Sequence, residues 1–105
     1  MPQLFYGHIL SNGVRIQYYR TGGQKPPIIL LHGLSDNALC WNRLPLVLEV
    51  EFDVIMPDAR GHGSSGLDER GASPAVQAQD VCALIESLQL YRPILIGHSM
   101  GAVTA

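Results

Sequence analysis

The sequence has few cysteines and few charged residues. Its 105 residues include two cysteines, and charged residues make up 15%, against about 25% in an average soluble protein. Cys40 and Cys82 match no metal-binding or redox spacing, so we expect reduced thiols in or near the core. Hydrophobic residues make up 47%. This balance indicates either an unusually large core or a segment that docks against further chain, and we favour the second.

Other absences exclude whole classes of function. The net charge is −2 and the seven basic residues are scattered, so the chain lacks the basic stripe of a nucleic-acid binder and the polybasic patch of a membrane-surface protein. No apolar run approaches the length of a membrane span, and residues 1–4 do not open a signal peptide. We therefore expect no nucleic-acid partner, no membrane association and a cytoplasmic location. The length allows one domain at most, or part of one.

Apolar patterning predicts five strands, over residues 4–10, 14–20, 28–31, 52–56 and 93–97. The first two alternate, and Asn12-Gly13 between them supplies the positive φ angles of a tight hairpin turn. The last three are continuously apolar, which is typical of parallel strands buried on both faces.

Helices are predicted between and after these strands. Helical structure is expected from about Ala38 to Glu49, with an uncertain start, because Pro45 makes an uninterrupted helix doubtful. A second begins at Ser73-Pro74, with serine as N-cap and proline at the first helical position. Its apolar stripe consists of Val81, Leu84, Ile85 and Leu88. A third helix begins near the C-terminus, within residues 100–105. The order predicts an α/β fold: a β-hairpin followed by parallel β-α-β-α-β.

Unusual residues follow each of the three apolar strands. They occupy the segments His32 to Ser35, Asp58 to Ser65 and Gly97 to Gly101. Ligands of open α/β sheets bind at the carboxyl ends of the strands, so these segments are expected to meet at one site. The last, Gly97-His98-Ser99-Met100-Gly101, is a G-x-S-x-G pattern between a strand and a helix. That pattern is typical of a nucleophile elbow, a sharp turn that exposes a serine hydroxyl.

These motifs resemble the N-terminal part of an α/β-hydrolase fold protein. The matching pieces are Leu31-His32-Gly33, Asp58-x-Arg60-Gly61-x-Gly63-x-Ser65 and the G-x-S-x-G pentapeptide, and the likeness covers essentially all 105 residues. It implies a serine hydrolase that acts on an ester or a related acyl bond. Members of this family are longer, with a triad in the order Ser, Asp or Glu, His. Residues 1–105 are therefore expected to be an incomplete domain, cut just after the elbow and lacking the catalytic acid and histidine.

The resemblance also implies roles for particular residues. Ser99 would be the nucleophile, and the backbone amides of Met100 and Leu34 would form the oxyanion hole. Gly33 would let its loop approach the substrate closely. Gly97 and Gly101 would let backbones meet at the elbow where a Cβ would clash.

The remaining polar residues of the motifs are interpreted as structural. We expect no catalytic base among the four histidines, which are His8, His32, His62 and His98. Asp58 and Arg60 are expected to brace loops through hydrogen bonds to backbone groups. No pair of residues has convincing metal-ligand spacing, and acyl transfer by this arrangement needs water and no organic cofactor. The expected partner is a small-molecule acyl substrate.

Two alternatives remain open from the sequence. The chain could be a catalytically inactive fragment, or a non-enzymatic binding or interaction module of the same fold, although the intact pentapeptide argues against long-standing loss of catalysis. The family topology also implies a further parallel neighbour for the strand at 93–97, from residues beyond 105. On its own the chain would then expose an apolar strand edge and be poorly soluble or partly molten. The identity of the substrate and the oligomeric state stay open.

Overall fold

Alternating strands and helices produce one five-stranded mixed sheet in the computed structural model, which describes residues 4–41 and 43–105. The strands are β1 Phe5–Ser11, β2 Val14–Arg20, β3 Pro27–Leu31, β4 Asp53–Pro57 and β5 Ile94–Gly97. The helices are a 3-10 turn at Ala38–Trp41, α1 Leu44–Leu48, α2 Pro74–Ser87 and α3 Met100–Thr104. The strand order across the sheet is β1-β2-β4-β3-β5.

The predicted hairpin and parallel strands are confirmed. Strands β1 and β2 pair antiparallel around Asn12 (φ 48°) and Gly13 (φ 86°), a turn that needs two residues with positive φ. Strand β3 pairs parallel with both β4 and β5, while β2 joins β4 antiparallel. The predicted bounds of all five strands are correct to within one residue. The chain therefore has the expected α/β architecture, with the hairpin added at one edge.

The core lies on both faces of the central strands. Every residue of β4 is buried, and so are Ile28 to Leu31 of β3, as continuous apolar runs predict. One face, with Ile29 and Ile55, packs against α2. The other face, with Ile28 and Leu30, packs against Ala38, Trp41 and the apolar side of α1. The two layers hold β3 and β4 rigidly beneath the loops that follow them.

The helical structure predicted from about Ala38 to Glu49 is confirmed, and it is interrupted, as Pro45 indicated. A 3-10 turn ends at Trp41, and α1 begins separately at Leu44 with a proline in its first turn. Pro45 has no N–H to donate within a continuous helix and its ring clashes with the preceding turn. A proline is compatible with a first turn, where that N–H has no partner in any case.

Helix α2 agrees with the prediction. The Ser73 side chain accepts a hydrogen bond from the Val76 amide, and Pro74 is the first helical residue. Val81 and Leu84 are buried, and Ile85 and Leu88 pack beside them. The N-cap and the apolar stripe therefore fix where the helix begins and which face it turns to the sheet.

Strand β5 was expected to be a buried strand that exposes its edge when residues beyond 105 are absent, and the exposed edge is confirmed for residues 1–105. Ile94 and Ile96 are 48% and 37% exposed, while Leu95 packs on the α2 side of the core. The cause is position, because β5 has β3 on one side and lies at the edge of the sheet.

Candidate functional site

The loops after β3, β4 and β5 meet at one edge of the sheet because these three strands are parallel. The His98 amide donates to the Leu31 carbonyl (3.0 Å), which ties the β5 end to the β3 end. The Ala59 amide donates to Nε2 of His32 (3.0 Å), and the Ala38 amide donates to Oδ1 of Asp58 (2.7 Å). These bonds connect the β3 loop to the β4 loop. The three motifs of the sequence therefore form one cluster.

Ser99, the predicted nucleophile, lies at the sharp turn between β5 and α3. Its backbone has φ 55° and ψ −113°, a region that non-glycine residues avoid at a cost of about 1–3 kcal/mol. The turn is held by hydrogen bonds from the Gly101 amide to the His98 carbonyl and from the Ala102 amide to the Ser99 carbonyl (both 3.0 Å). The side chain is exposed and does not cap α3. Among the described residues, none accepts from or donates to its hydroxyl.

The two flanking glycines leave no room for a side chain. A Cβ on Gly101 would collide with the carbonyls of Leu31 and His32 at the end of β3. A Cβ on Gly97 would collide with the Gly101 carbonyl and the Ala102 amide nitrogen. The glycines therefore let α3 start directly against the ends of β3 and β5, which forces the bend at Ser99.

Gly33 lies against the elbow, a contact that the sequence did not predict. It is buried, and a Cβ there would lie 3.2 Å from Nδ1 of His98 and 3.5 Å from Cβ of Ser99. Its small size thus allows the β3 loop to pack against the elbow, and its close approach to a substrate stays a prediction. The contact places residues 33 and 99 side by side.

The two amides predicted for the oxyanion hole have no acceptor among the described residues. Met100 is the first residue of α3, and the first amides of a helix have no intrahelical partner. Leu34 is 70% exposed and lies in a turn that the Asp36 amide closes by donating to the Gly33 carbonyl (3.2 Å). Both amides therefore have no acceptor among the described residues; Met100 follows Ser99 directly, and Leu34 follows Gly33, which contacts the elbow.

The histidines form no acid–base pair. His32 is buried, and its ring bonds the Gly33 carbonyl and the Ala59 amide. The ring of His62 lies 5.3 Å from that of His32, and its Nδ1 donates to the Arg60 carbonyl. His8 and His98 are exposed. Within residues 4–41 and 43–105, no histidine ring bonds a carboxylate, as the partner of a serine would.

Asp58 braces loops as predicted, while Arg60 also forms an ion pair with a residue of α2. The Asp58 carboxylate accepts from the amides of Ala38 and Ser64 (2.7 and 3.0 Å). The Arg60 side chain is fully buried and forms a two-point ion pair with Asp80 of α2 (2.7 and 2.8 Å). Hydrogen bonds and attraction from Asp80 raise the pKa of Arg60. Arg60 thus anchors the β4 loop to α2.

Asp80 was not identified from the sequence. Its carboxylate also accepts a bond from the Ser11 hydroxyl (2.6 Å), so it joins α2, β1 and the β4 loop. The sequence could have identified Asp80 as a buried carboxylate, because position 80 lies one helical turn before Leu84, on the buried side of the predicted helix. A carboxylate on such a face needs a partner, and Arg60 is that partner.

A cavity of about 30 Å³ lies behind the elbow, between α2, α3 and the ends of β3 and β4. Arg60, Asp80, Gly101 and Thr104 line it, and Ser99 does not. In the part of the chain that the structure describes, no three His, Cys, Asp or Glu residues are grouped to hold a metal ion. No helix among those residues is long and apolar enough to cross a membrane.

Comparison with known proteins agrees with this geometry. The alpha/beta hydrolase family matches residues 28–105. An sn-1-specific diacylglycerol lipase from Xenopus laevis is 42% identical over 82 residues, which is 76% of this chain and 26% of the relative. An N-formylmaleamate deformylase from Pseudomonas putida is 38% identical over 98 residues, which is 91% of this chain and 36% of the relative.

A solved structure shows the same backbone. A putative epoxide hydrolase (T131D mutant) from Pseudomonas aeruginosa superposes with a TM-score of 0.89 at 34% identity, covering 99% of this chain and 36% of its own. The chain thus spans about a quarter to a third of the length of these similar proteins.

Proposed function

Since the chain belongs to the alpha/beta hydrolase family, we propose that residues 1–105 are the nucleophile-bearing N-terminal part of a serine hydrolase that cleaves an ester or related acyl bond. Ser99 is the nucleophile. The proposal rests chiefly on one observation, the exposed Ser99 side chain at a strained strand-to-helix turn. Strain of this kind persists where the surroundings impose it, and it is concentrated at functional sites.

The proposed reaction begins with attack of Ser99 Oγ on the substrate carbonyl carbon while a base removes the hydroxyl proton. The carbonyl oxygen becomes negatively charged in the tetrahedral intermediate. Backbone amides of Leu34 and Met100 donate to that oxygen and stabilise the charge. The C–O or C–N bond of the leaving group then breaks, and water hydrolyses the acyl-serine. The base and the acid that orients it come from residues outside 1–105.

The chemistry of serine favours an acyl substrate over an epoxide. Attack by a serine oxygen on an epoxide carbon forms an ether, which water does not readily cleave, so the enzyme would stay blocked. Attack on an acyl group forms an ester, which water releases. Two of the relatives are named for acyl compounds, a diacylglycerol and an N-formyl compound, and this agrees with the choice.

The test is covalent labelling of the protein expressed from its complete reading frame. A fluorophosphonate probe should modify Ser99, identified by peptide mass spectrometry, and should do so equally in the Ser87→Ala control, whose exposed serine ends α2. Ser99→Ala should lose the label and at least about 10³-fold of kcat with p-nitrophenyl acetate, because removing a nucleophile leaves only residual rate enhancement. Turnover that survives Ser99→Ala would refute the proposal. A folded protein that neither labels nor turns over would indicate the non-enzymatic binding module instead.

A further inference from the structure

We propose that His32 is a positioning residue that orients the Leu34 amide of the oxyanion hole. This inference rests on the proposed function, because it assigns a role within the same site. Among the described residues, the His32 ring forms its hydrogen bonds with Gly33 and Ala59 and none with Ser99. It acts through the peptide that joins Gly33 to Leu34.

The protonation state of His32 follows from its partners. The Ala59 amide is a donor, so the Nε2 atom that receives it (3.0 Å) must carry a lone pair and no proton. The Gly33 carbonyl is an acceptor only, so the Nδ1 atom facing it (2.7 Å) must carry the proton. His32 is therefore neutral and in the Nδ1–H form, since the imidazolium has no acceptor to offer Ala59.

The bond to Gly33 controls the amide of the next residue. The Gly33 carbonyl and the Leu34 N–H belong to one planar trans peptide and point in opposite directions. His32 and the Asp36 amide (3.2 Å) both donate to that carbonyl, which fixes the plane. The Leu34 N–H is consequently directed away from the buried ring, and no described residue accepts from it.

The ring of His32 is fixed at its other nitrogen, Nε2, by the loop after β4. His32 is 2% exposed, its Nε2 accepts from Ala59 in the loop after β4, and the ring of His62 lies beside it. A buried ring with both nitrogens engaged cannot rotate freely. The β4 loop thus sets the orientation of an amide in the β3 loop, beside the elbow that Gly33 contacts.

Two variants separate this role from simple packing. In His32→Asn the side-chain amide nitrogen reaches the place of Nδ1 and can still donate to Gly33, while the acceptor for Ala59 is lost. In His32→Gln the amide oxygen reaches the place of Nε2 and can still accept from Ala59, while the donor to Gly33 is lost. His8→Asn, at an exposed position of β1, is the control. All are measured in the protein expressed from its complete reading frame, with p-nitrophenyl acetate.

The inference predicts that His32→Gln lowers kcat by about 10- to 100-fold with little change in KM, because a misdirected oxyanion donor weakens only the transition state. His32→Asn should keep kcat within a few-fold of the wild type, and His8→Asn should equal it. Two results would overturn the inference while Ser99 still labels normally: His32→Gln keeps the kcat of His8→Asn, or both His32 variants lose kcat equally. In either case the proposed function stands. If Ser99 does not label, both fail.

A measurement on the wild type decides the matter if the variants do not fold. Nitrogen-15 NMR of the histidine rings should show His32 as a neutral ring with a proton on Nδ1 and none on Nε2. A proton on Nε2, or a doubly protonated ring, would remove the donor–acceptor chain from Ala59 to Gly33 and overturn the inference.

Discussion

Gly101 shows how one missing side chain shapes the site. Alanine normally stabilises a helix by about 1 kcal/mol over glycine, but a Cβ at position 101 would strike the Leu31 and His32 carbonyls. Gly101→Ala should therefore lower the free energy of unfolding by about 1–3 kcal/mol, measured by urea denaturation. Gly66→Ala is the matched control, because its Cβ would lie 3.5 Å from the nearest atom. Equal stability of the two variants would contradict the close packing of the elbow.

The Arg60–Asp80 pair makes a second prediction at the residue scale. Asp80→Ala leaves a buried guanidinium without its main partner, and we expect a loss of about 3–5 kcal/mol of stability. Asp68→Ala removes a contact to the same arginine from a carboxylate that is 32% exposed, so its loss should be much smaller. Thermal and urea denaturation of both variants measures the difference. A larger loss for Asp68→Ala would mean that Arg60 is not anchored to α2.

Local patterns predicted the sharp turn at Ser99 and the close packing at Gly97 and Gly101, because such a turn requires those residue types at that spacing. The loop-bracing role of Asp58 was also predicted correctly. The contacts of His32 and Asp80 were not, because each depends on residues from other elements that the tertiary fold brings close. The packing of Gly33 on His98 and Ser99 was missed for the same reason.

At the scale of elements, the N-cap of α2 is the clearest local signal. Ser73 accepts from the Val76 amide (3.3 Å), and replacement of such a cap by alanine costs about 1 kcal/mol. Ser73→Ala should show this loss in denaturant melts, while Ser87→Ala at the other end of α2 should be near neutral. If Ser73→Ala were as stable as Ser87→Ala, the helix would not depend on its cap.

Two elements show where patterning was insufficient. Pro45 was recognised as a problem for the helix at 38–49, but composition alone did not indicate that a 3-10 turn would replace the first part. The apolar run at 93–97 resembles the central strand at 28–31, and only the family topology, not the run itself, indicated that β5 would be an edge strand in residues 1–105. Position in a sheet depends on pairing across the whole fold, and a short run of residues does not encode it.

At the scale of the whole molecule, the order of strands and helices was enough to predict the α/β fold and its three loops at one edge. Relatives that are about three times as long share this portion. The cytoplasmic location and the small-molecule acyl substrate stay predictions.

The exposed edge of β5 predicts how the 105-residue chain behaves alone. Ile94 and Ile96 are partly exposed beside unpaired backbone groups, and such edges favour association. The isolated chain should therefore elute as aggregates or melt without a sharp transition. A monomer with a cooperative melt and well-dispersed amide signals would contradict this prediction.

We propose that Ser99 Oγ attacks a carbonyl carbon while the backbone amides of Leu34 and Met100 donate hydrogen bonds to the carbonyl oxygen. The most direct test is a crystal structure of the phosphonate adduct of the protein from its complete reading frame. We expect phosphorus bonded to Ser99 Oγ, with the phosphoryl oxygen about 2.7–3.1 Å from the Leu34 and Met100 nitrogens. A phosphoryl oxygen directed to solvent, or held by other groups, would contradict it.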